Sequence, residues 1–222
     1  MKNKITNLLV ALFAIFICFS CSDDDNEGSN NLKGVWNYNG VHFVMEFEKE
    51  EIPLPKGMTL KTLLETMGLK TDNLGSLGEL TSIPAKMLVT NFSEYANVKM
   101  GKYFRGLEFT SDYDFLINIV AKGQNKSVAA TYAMGKNALY VELDKESVKQ
   151  AFGKEVAIPS LQYDYTLSDN QLVLFTDKTK IETIVTLLSV MAGDNAIPAR
   201  KEYIMSILKQ TKKLEFGITM KR

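Results

Sequence analysis

Beyond residue 32 the chain alternates between apolar and polar side chains with a period of two, the signature of strands that bury one face. Val41, Phe43, Met45 and Phe47 share one side of such a run, and His42, Val44, Glu46 and Glu48 share the other. Tyr103, Arg105, Leu107 and Phe109 alternate with Phe104, Gly106, Glu108 and Thr110, and Tyr113, Phe115, Ile117 and Ile119 resume after the Ser111–Asp112 corner. Val128 to Met134 and Ala138 to Asp144 flank Gly135-Lys136-Asn137, a three-residue loop suited to a hairpin. Leu161, Tyr163, Tyr165 and Leu167 run into the Ser168-Asp169-Asn170 turn, Leu172 to Thr176 returns, and Leu214, Phe216, Ile218 and Met220 form a last strand. With Lys33 to Tyr38 this makes about nine strands. Connections this short join only antiparallel neighbours, so the pattern predicts a mainly β, α+β fold built on an antiparallel meander.

Helical spacing interrupts the meander near 59–68, 145–152, 179–192 and 198–210. Leu60, Leu63, Leu64 and Met67 fall on one face, stopped by Gly68. Thr179-Lys180-Ile181-Glu182 reads as a capping box ahead of Ile184, Val185 and Leu188, and Pro198 suits the first turn of the next helix. The helix over 179–192 is apolar nearly all round, which fits a buried helix or a lid over a cavity. Glu51 to Asn97 is expected to hold a helix and loops.

The first 31 residues follow a different rule. Lys2 and Lys4 precede a twelve-residue apolar run, Leu8 to Phe19. A bilayer-spanning helix takes about 20 apolar residues, so the run reads as a signal peptide over 1–20. Ser20-Cys21 resembles the lipobox of bacterial lipoproteins, which makes Cys21 the acylated residue. Residues 22–31 hold Asp23, Asp24, Asp25 and Glu27 and no apolar side chain, a composition that stays flexible. An acidic cluster after a lipidated cysteine resembles the export signal of Bacteroidota lipoproteins. The implied location is the outer membrane, facing the exterior, with the periplasmic face as the alternative. A calcium loop fails because its twelfth position would be Gly34, where a bidentate Glu is needed. The expected division is therefore signal 1–20, lipidated tether 21–31 and one domain over 32–222.

Charge sharpens this division. The 26 basic and 26 acidic residues balance over the whole chain. Without Lys2, Lys4 and the four tether acids, the domain holds 24 basic against 22 acidic residues. A nucleic-acid partner, which calls for a clear basic surplus, is not expected.

Gly34-Val35-Trp36 opens the first strand directly after the tether. In an antiparallel barrel of this size it resembles the first-strand signature of lipocalins and other calycins. The resemblance implies a barrel of about 8–10 strands with Trp36 plugging one end and an Arg near the last strand stacking on it; Arg222 has that position. Taken with the signal and tether, the chain is similar to lipocalin-like or calycin-like outer-membrane lipoproteins of Bacteroidota. The match covers the two ends of the domain and not its middle.

Little catalytic chemistry is on offer. His42 is the one histidine, no Gly-x-Ser-x-Gly elbow presents a serine, and neither cysteine lies within 32–222. No metal set or cofactor motif emerges, and no cofactor is expected. Carboxylates could still pair for glycoside hydrolysis, with Glu46 and Glu48 or Glu108, Asp112 and Asp114 as candidates. Tyr132, Tyr140, Tyr163 and Tyr165 are the candidate ligand contacts, able to floor an apolar pocket or stack on sugars. Three readings follow: a non-catalytic, membrane-anchored protein binding a small hydrophobic or amphipathic ligand; a surface module docking a partner protein or glycan; and a carboxylate-only hydrolase.

Overall fold

The computed structural model describes residues 32–66, 72, 75–121, 123–153, 161–182 and 205–222. The hairpin loops act as the alternation predicts. Strands β4 (Phe104–Phe109), β5 (Asp114–Ala121), β6 (Gln124–Met134), β7 (Ala138–Leu143), β8 (Leu161–Ser168), β9 (Gln171–Asp177) and β10 (Thr211–Lys221) pair in sequence as an antiparallel meander. Strand β1 (Gly34–Phe47) closes it, pairing with β4 through Gly34–Asn37 and with β10 along the rest of its length. The result is a closed eight-stranded antiparallel barrel, consistent with a lipocalin- or calycin-like architecture.

Closure requires strands to bend, and two bulges provide the bend. In β1 the register slips between Tyr38 and Gly40, so the inward set changes from Trp36 and Tyr38 to Val41, Phe43 and Met45. In β4 it slips between Phe104 and Gly106, leaving Arg105 unpaired and Phe104, Leu107 and Phe109 buried. Gly106 has φ +150°, and a Cβ there would collide with the Trp36 carbonyl oxygen, so only glycine fits.

The long excursion between β1 and β4 departs most from expectation. It holds a small pair of strands, β2 (Glu51–Pro53) and β3 (Ser82–Pro84), helix α1 (Leu60–Thr66) and a 3-10 turn over Gly75–Glu79. It ends in a 19-residue helix, α2 (Ala85–Tyr103). The expectation of loops up to Asn97 and of a strand at Tyr103 is corrected: both residues belong to α2. Ile52, Leu60, Leu63 and Ile83 are buried, and all but Ile52 join Leu54 and Ile207 in a satellite core against Met45 and Phe47 of β1.

Helix α3 (Lys145–Phe152) spans the expected residues. The Asp144 side chain caps it by accepting from Ser147 N at 2.7 Å, and Gly153 at φ 78° ends it. It inserts Val148 and Ala151 into the barrel core. After β9 the chain turns helical over 178–182, with Asp177 Oδ1 accepting from Lys180 N at 2.9 Å. The cap is thus Asp177, two residues ahead of the expected Thr179. Residues 205–209 are helical. The remainder of the expected helices over 179–192 and 198–210, like the signal, Cys21 and the tether, lies outside the described residues.

Candidate functional site

The strand directions give the barrel two unlike ends. At one end lie the tight turns 110–113, 135–137 and 169–170, the start of β1 and the end of β10. Trp36, completely buried, fills this end. Its indole Nε1 donates to Leu32 O at 2.7 Å, and the Arg222 guanidinium lies 4.5 Å from the ring centroid. Arg222 also donates to Lys33 O at 3.2 Å, tying the last strand to the chain entering the first. Stacked Phe109 and Phe115 meet the edge of Tyr132, with centroids 5.2, 5.0 and 5.8 Å apart, and buried Leu172 and Met220 complete the plug. Arg222 is exposed, and a cation over an indole at such a site is worth about 0.5–1 kcal/mol, to which the plug adds wide apolar burial.

Among the described residues, the other end is covered by α2. Phe92 of α2 packs on Phe43 and Phe216, with centroids 5.1 and 6.4 Å away. Asn97 fastens the helix to the β1 bulge: its Oδ1 accepts from Tyr38 Oη at 2.9 Å and from Val41 N at 3.2 Å. The second of these bonds satisfies an amide beside the bulge, where the strand ladder is broken. Burial pushes the Tyr38 phenol up to about 12. Of the 19 residues of α2, Ala96 alone is buried. Val98 is 71% exposed, so this helix is held by a narrow stripe, the Asn97 latch and a hydrogen bond near each end, from Ala85 N to Glu50 O and from Arg105 to Gly101 O.

Between plug and helix lies a cavity of about 60 Å³. Met100, Phe104 and Phe216 form its upper wall, and Leu107, Ile117 and Leu174 line it lower down. Among the described residues no charged side chain lines it. The space holds about four waters, yet its walls offer almost no hydrogen bonds, the condition under which a cavity stays dry and takes apolar guests.

The four candidate tyrosines are divided by the pleat. Tyr163 lines the cavity, and Tyr165 packs against the core with its hydroxyl donating to Gly135 O at 3.4 Å. Tyr132 lies in the plug, its hydroxyl donating to Ser111 O at 3.1 Å. Burial pushes its phenol up to about 12, with the nearby Asp112 and Asp114 carboxylates adding to the shift. Tyr140 pairs with Ala133 and stands on the opposite face from its neighbours Leu139 and Val141, packed over Gly135 outside the barrel. The four residues therefore do not form one floor.

The acidic candidates are also dispersed. Glu46 is exposed opposite Lys213, and Glu48 lies beyond the end of β1. Glu108 is on the outer side of β4, Asp112 lies 3.2 Å from Lys33 Nζ, and Asp114 accepts from Ser111 Oγ at 2.7 Å. None of them lines the cavity.

His42 is on the outer face too. Its Nε2 is 2.9 Å from Glu215 Oε2, and its ring lies 5.0 Å from that of Phe175 across Gly217. Partial burial raises the Glu215 carboxyl, but hydrogen bonds and charge from Lys213 and His42 outweigh it and hold the group below the usual range. This is an interlocked surface cluster on the outer wall of the barrel.

Sequence reading overlooked Met100, Asn97 and Thr176. The first two lie on the unexpected helix. Thr176 left a signal: it takes the third inward position after Leu172 and Leu174, where the alternation calls for another apolar side chain.

Fold and site together define a small, plugged antiparallel barrel whose apolar cavity lies beneath a lightly held helix. No protein-family model, curated protein or solved structure matches the chain.

Proposed function

We propose that this chain is a non-catalytic, lipid-anchored envelope protein whose barrel takes a small hydrophobic or amphipathic ligand into the cavity beneath α2. The observation that carries the reading is the uncharged cavity between the Trp36 plug and Met100. About 60 Å³ admits a ligand of a few heavy atoms; anything longer has to displace Met100 and the weakly buried end of α2. The anchor rests on the Lys2–Ser20 signal pattern and Cys21, and the outward-facing outer-membrane location on the acidic tether, as in the Bacteroidota lipoproteins the sequence resembles.

Placement of the anchor adds a geometric consequence. The chain enters the barrel through Leu32, beneath Trp36. A tether from Cys21 therefore joins the domain at its plugged end, the end opposite α2. Residues 21–31 reach at most about 38 Å when extended, which sets how far the domain stands from the bilayer.

Native mass spectrometry of protein extracted gently from its own envelope, with titration of a fluorescent lipid probe, tests the binding. A bound small molecule or saturable uptake is expected, and an empty domain that takes up nothing refutes the reading. Cys21→Ala is expected to abolish acylation and release the protein from membranes. Surface protease on intact cells reports the facing; cleavage seen only after lysis contradicts an outward location.

The cavity's small size favours a second reading, a surface module for a partner protein or glycan, because ordinary ligand pockets run from about 300 Å³ upward. Saturable capture of a partner by a protein that takes up no small molecule decides for it.

A further inference from the structure

One polar group is misplaced in the barrel interior. Thr176 is 2% exposed, and its hydroxyl has no hydrogen-bond partner. A buried hydroxyl without a partner costs about 1–3 kcal/mol, so such groups are rare unless something else satisfies them. Thr176 stands one inward step above Leu174 on β9 and is paired across the sheet with Phe216 on β10. Both of those neighbours line the cavity. On its other side the Asp164–Phe175 pair brings the next inward residue of β8, Tyr163, alongside, and Tyr163 lines the cavity as well. Thr176 itself stands just behind the cavity wall, its hydroxyl closed off by these three cavity residues, so a ligand head reaches it by displacing the Tyr163 or Phe216 ring.

We propose that Thr176 Oγ1 is the polar anchor of the ligand site, and that the ligand class is a small neutral amphiphile with one hydrogen-bonding head and an apolar tail. This rests on the ligand-binding reading above. The head meets Thr176, and the tail points down toward Leu107 and Ile117. A hydroxyl both donates and accepts, so an alcohol, carbonyl or amide head satisfies it. A carboxylate or ammonium head does not fit, because among the described residues no opposite charge lines the cavity and burying an unpaired charge is prohibitive.

The experiment compares 1-pentanol, pentane and pentanoate at neutral pH, titrated into the wild-type domain and into Thr176→Val and Thr176→Ser. Methyl NMR shifts of Leu107, Ile117 and Leu174 report binding. Wild type is expected to take pentanol and pentane and to bind pentanoate at least about tenfold more weakly than pentanol. Thr176→Val keeps the shape and removes the hydroxyl. It should weaken pentanol about fivefold, the equivalent of one net hydrogen bond, and leave pentane within about twofold. Thr176→Ser should keep the preference for the alcohol. The valine protein is expected to melt at or above the wild-type temperature, which separates loss of the anchor from loss of the fold.

Unchanged pentanol binding by Thr176→Val overturns the anchor, as does an equal loss for both probes. Tighter binding of pentanoate than pentanol overturns the neutral class. Wild-type protein that takes none of the three refutes the ligand-binding reading itself, a result distinct from the failure of Thr176 alone.

Discussion

The two ends of this barrel are built from similar amounts of aromatic side chain but hold them differently. At the plug, Trp36, Phe109, Phe115 and Tyr132 are all buried, and Arg222 and Leu32 O fix the indole from both sides. At the opposite end, Phe43, Phe92 and Phe216 also meet, but the helix over them has one buried residue and is latched by one asparagine. Close packing makes a rigid element, whereas few buried contacts leave an element able to open at a fraction of the global stability. The molecule thus concentrates stability next to the tether and keeps its compliance beside the cavity.

Truncation on either side of this divide should give the largest contrast. Trp36→Ala is expected to cost about 3–5 kcal/mol, because it opens a void in a region with no slack. Met100→Ala, at the cavity's edge, should cost about 1 kcal/mol and enlarge the space for ligand. Denaturant melts check the pair; equal costs would erase the distinction between the ends.

The latch comes next. Asn97→Ala removes the acceptor for Tyr38 Oη and Val41 N and should cost about 1 kcal/mol. Hydrogen exchange is expected to quicken along α2 and to stay unchanged in β5 and β6 near the plug. Uniform quickening would mean that α2 is not an independently opening unit.

Arg222→Ala should cost about 0.5–1 kcal/mol through loss of the stack on Trp36, with no effect on α2 exchange. A smaller effect comes from alkali. Tyr132 in the plug and Tyr38 under the latch both have phenols raised to about 12 by burial, above the ordinary value of about 10. Because folding raises these values, the stability they carry is complete below pH 10 and is lost as the pH climbs through 12. Tyrosinate absorbance followed alongside circular dichroism should show these two phenols ionising only with loss of fold. Tyr132→Phe and Tyr38→Phe should each lessen the alkaline loss. Ionisation of all tyrosines near pH 10 with the fold intact would contradict the burial argument.

How much of this was legible in the sequence follows the same divide. The plugged end was readable because its turns and strands have local determinants, tight turns with Gly, Asn and Asp and strict alternation, and because the resemblance to calycin barrels implied the pairing of Trp36 with Arg222. The mouth was not. Helix α2 carries Asn91, Ser93 and Asn97 among scattered apolar residues, so no clean stripe marks it; its role comes from where the barrel seats it. The bulge at Arg105 shifts the inward set without leaving a break in the alternation, and the one at Asn39 leaves a break that reads as a gap between two strands where β1 is continuous. The split of the tyrosines has a related reason: Tyr132 and Tyr140 lie on one hairpin, but the pairing of Tyr132 with Val141 puts Tyr140 on the other face.

The most direct test of a guest-accepting cavity uses a probe with no chemistry of its own. Xenon under pressure, followed by methyl NMR of the full domain, is expected to shift Leu107, Ile117, Leu174 and Ile218 together, with smaller changes at Met100 and none at Leu172 or Leu32 by the plug. Absence of any shift, or shifts centred on the Trp36 end, would contradict the account.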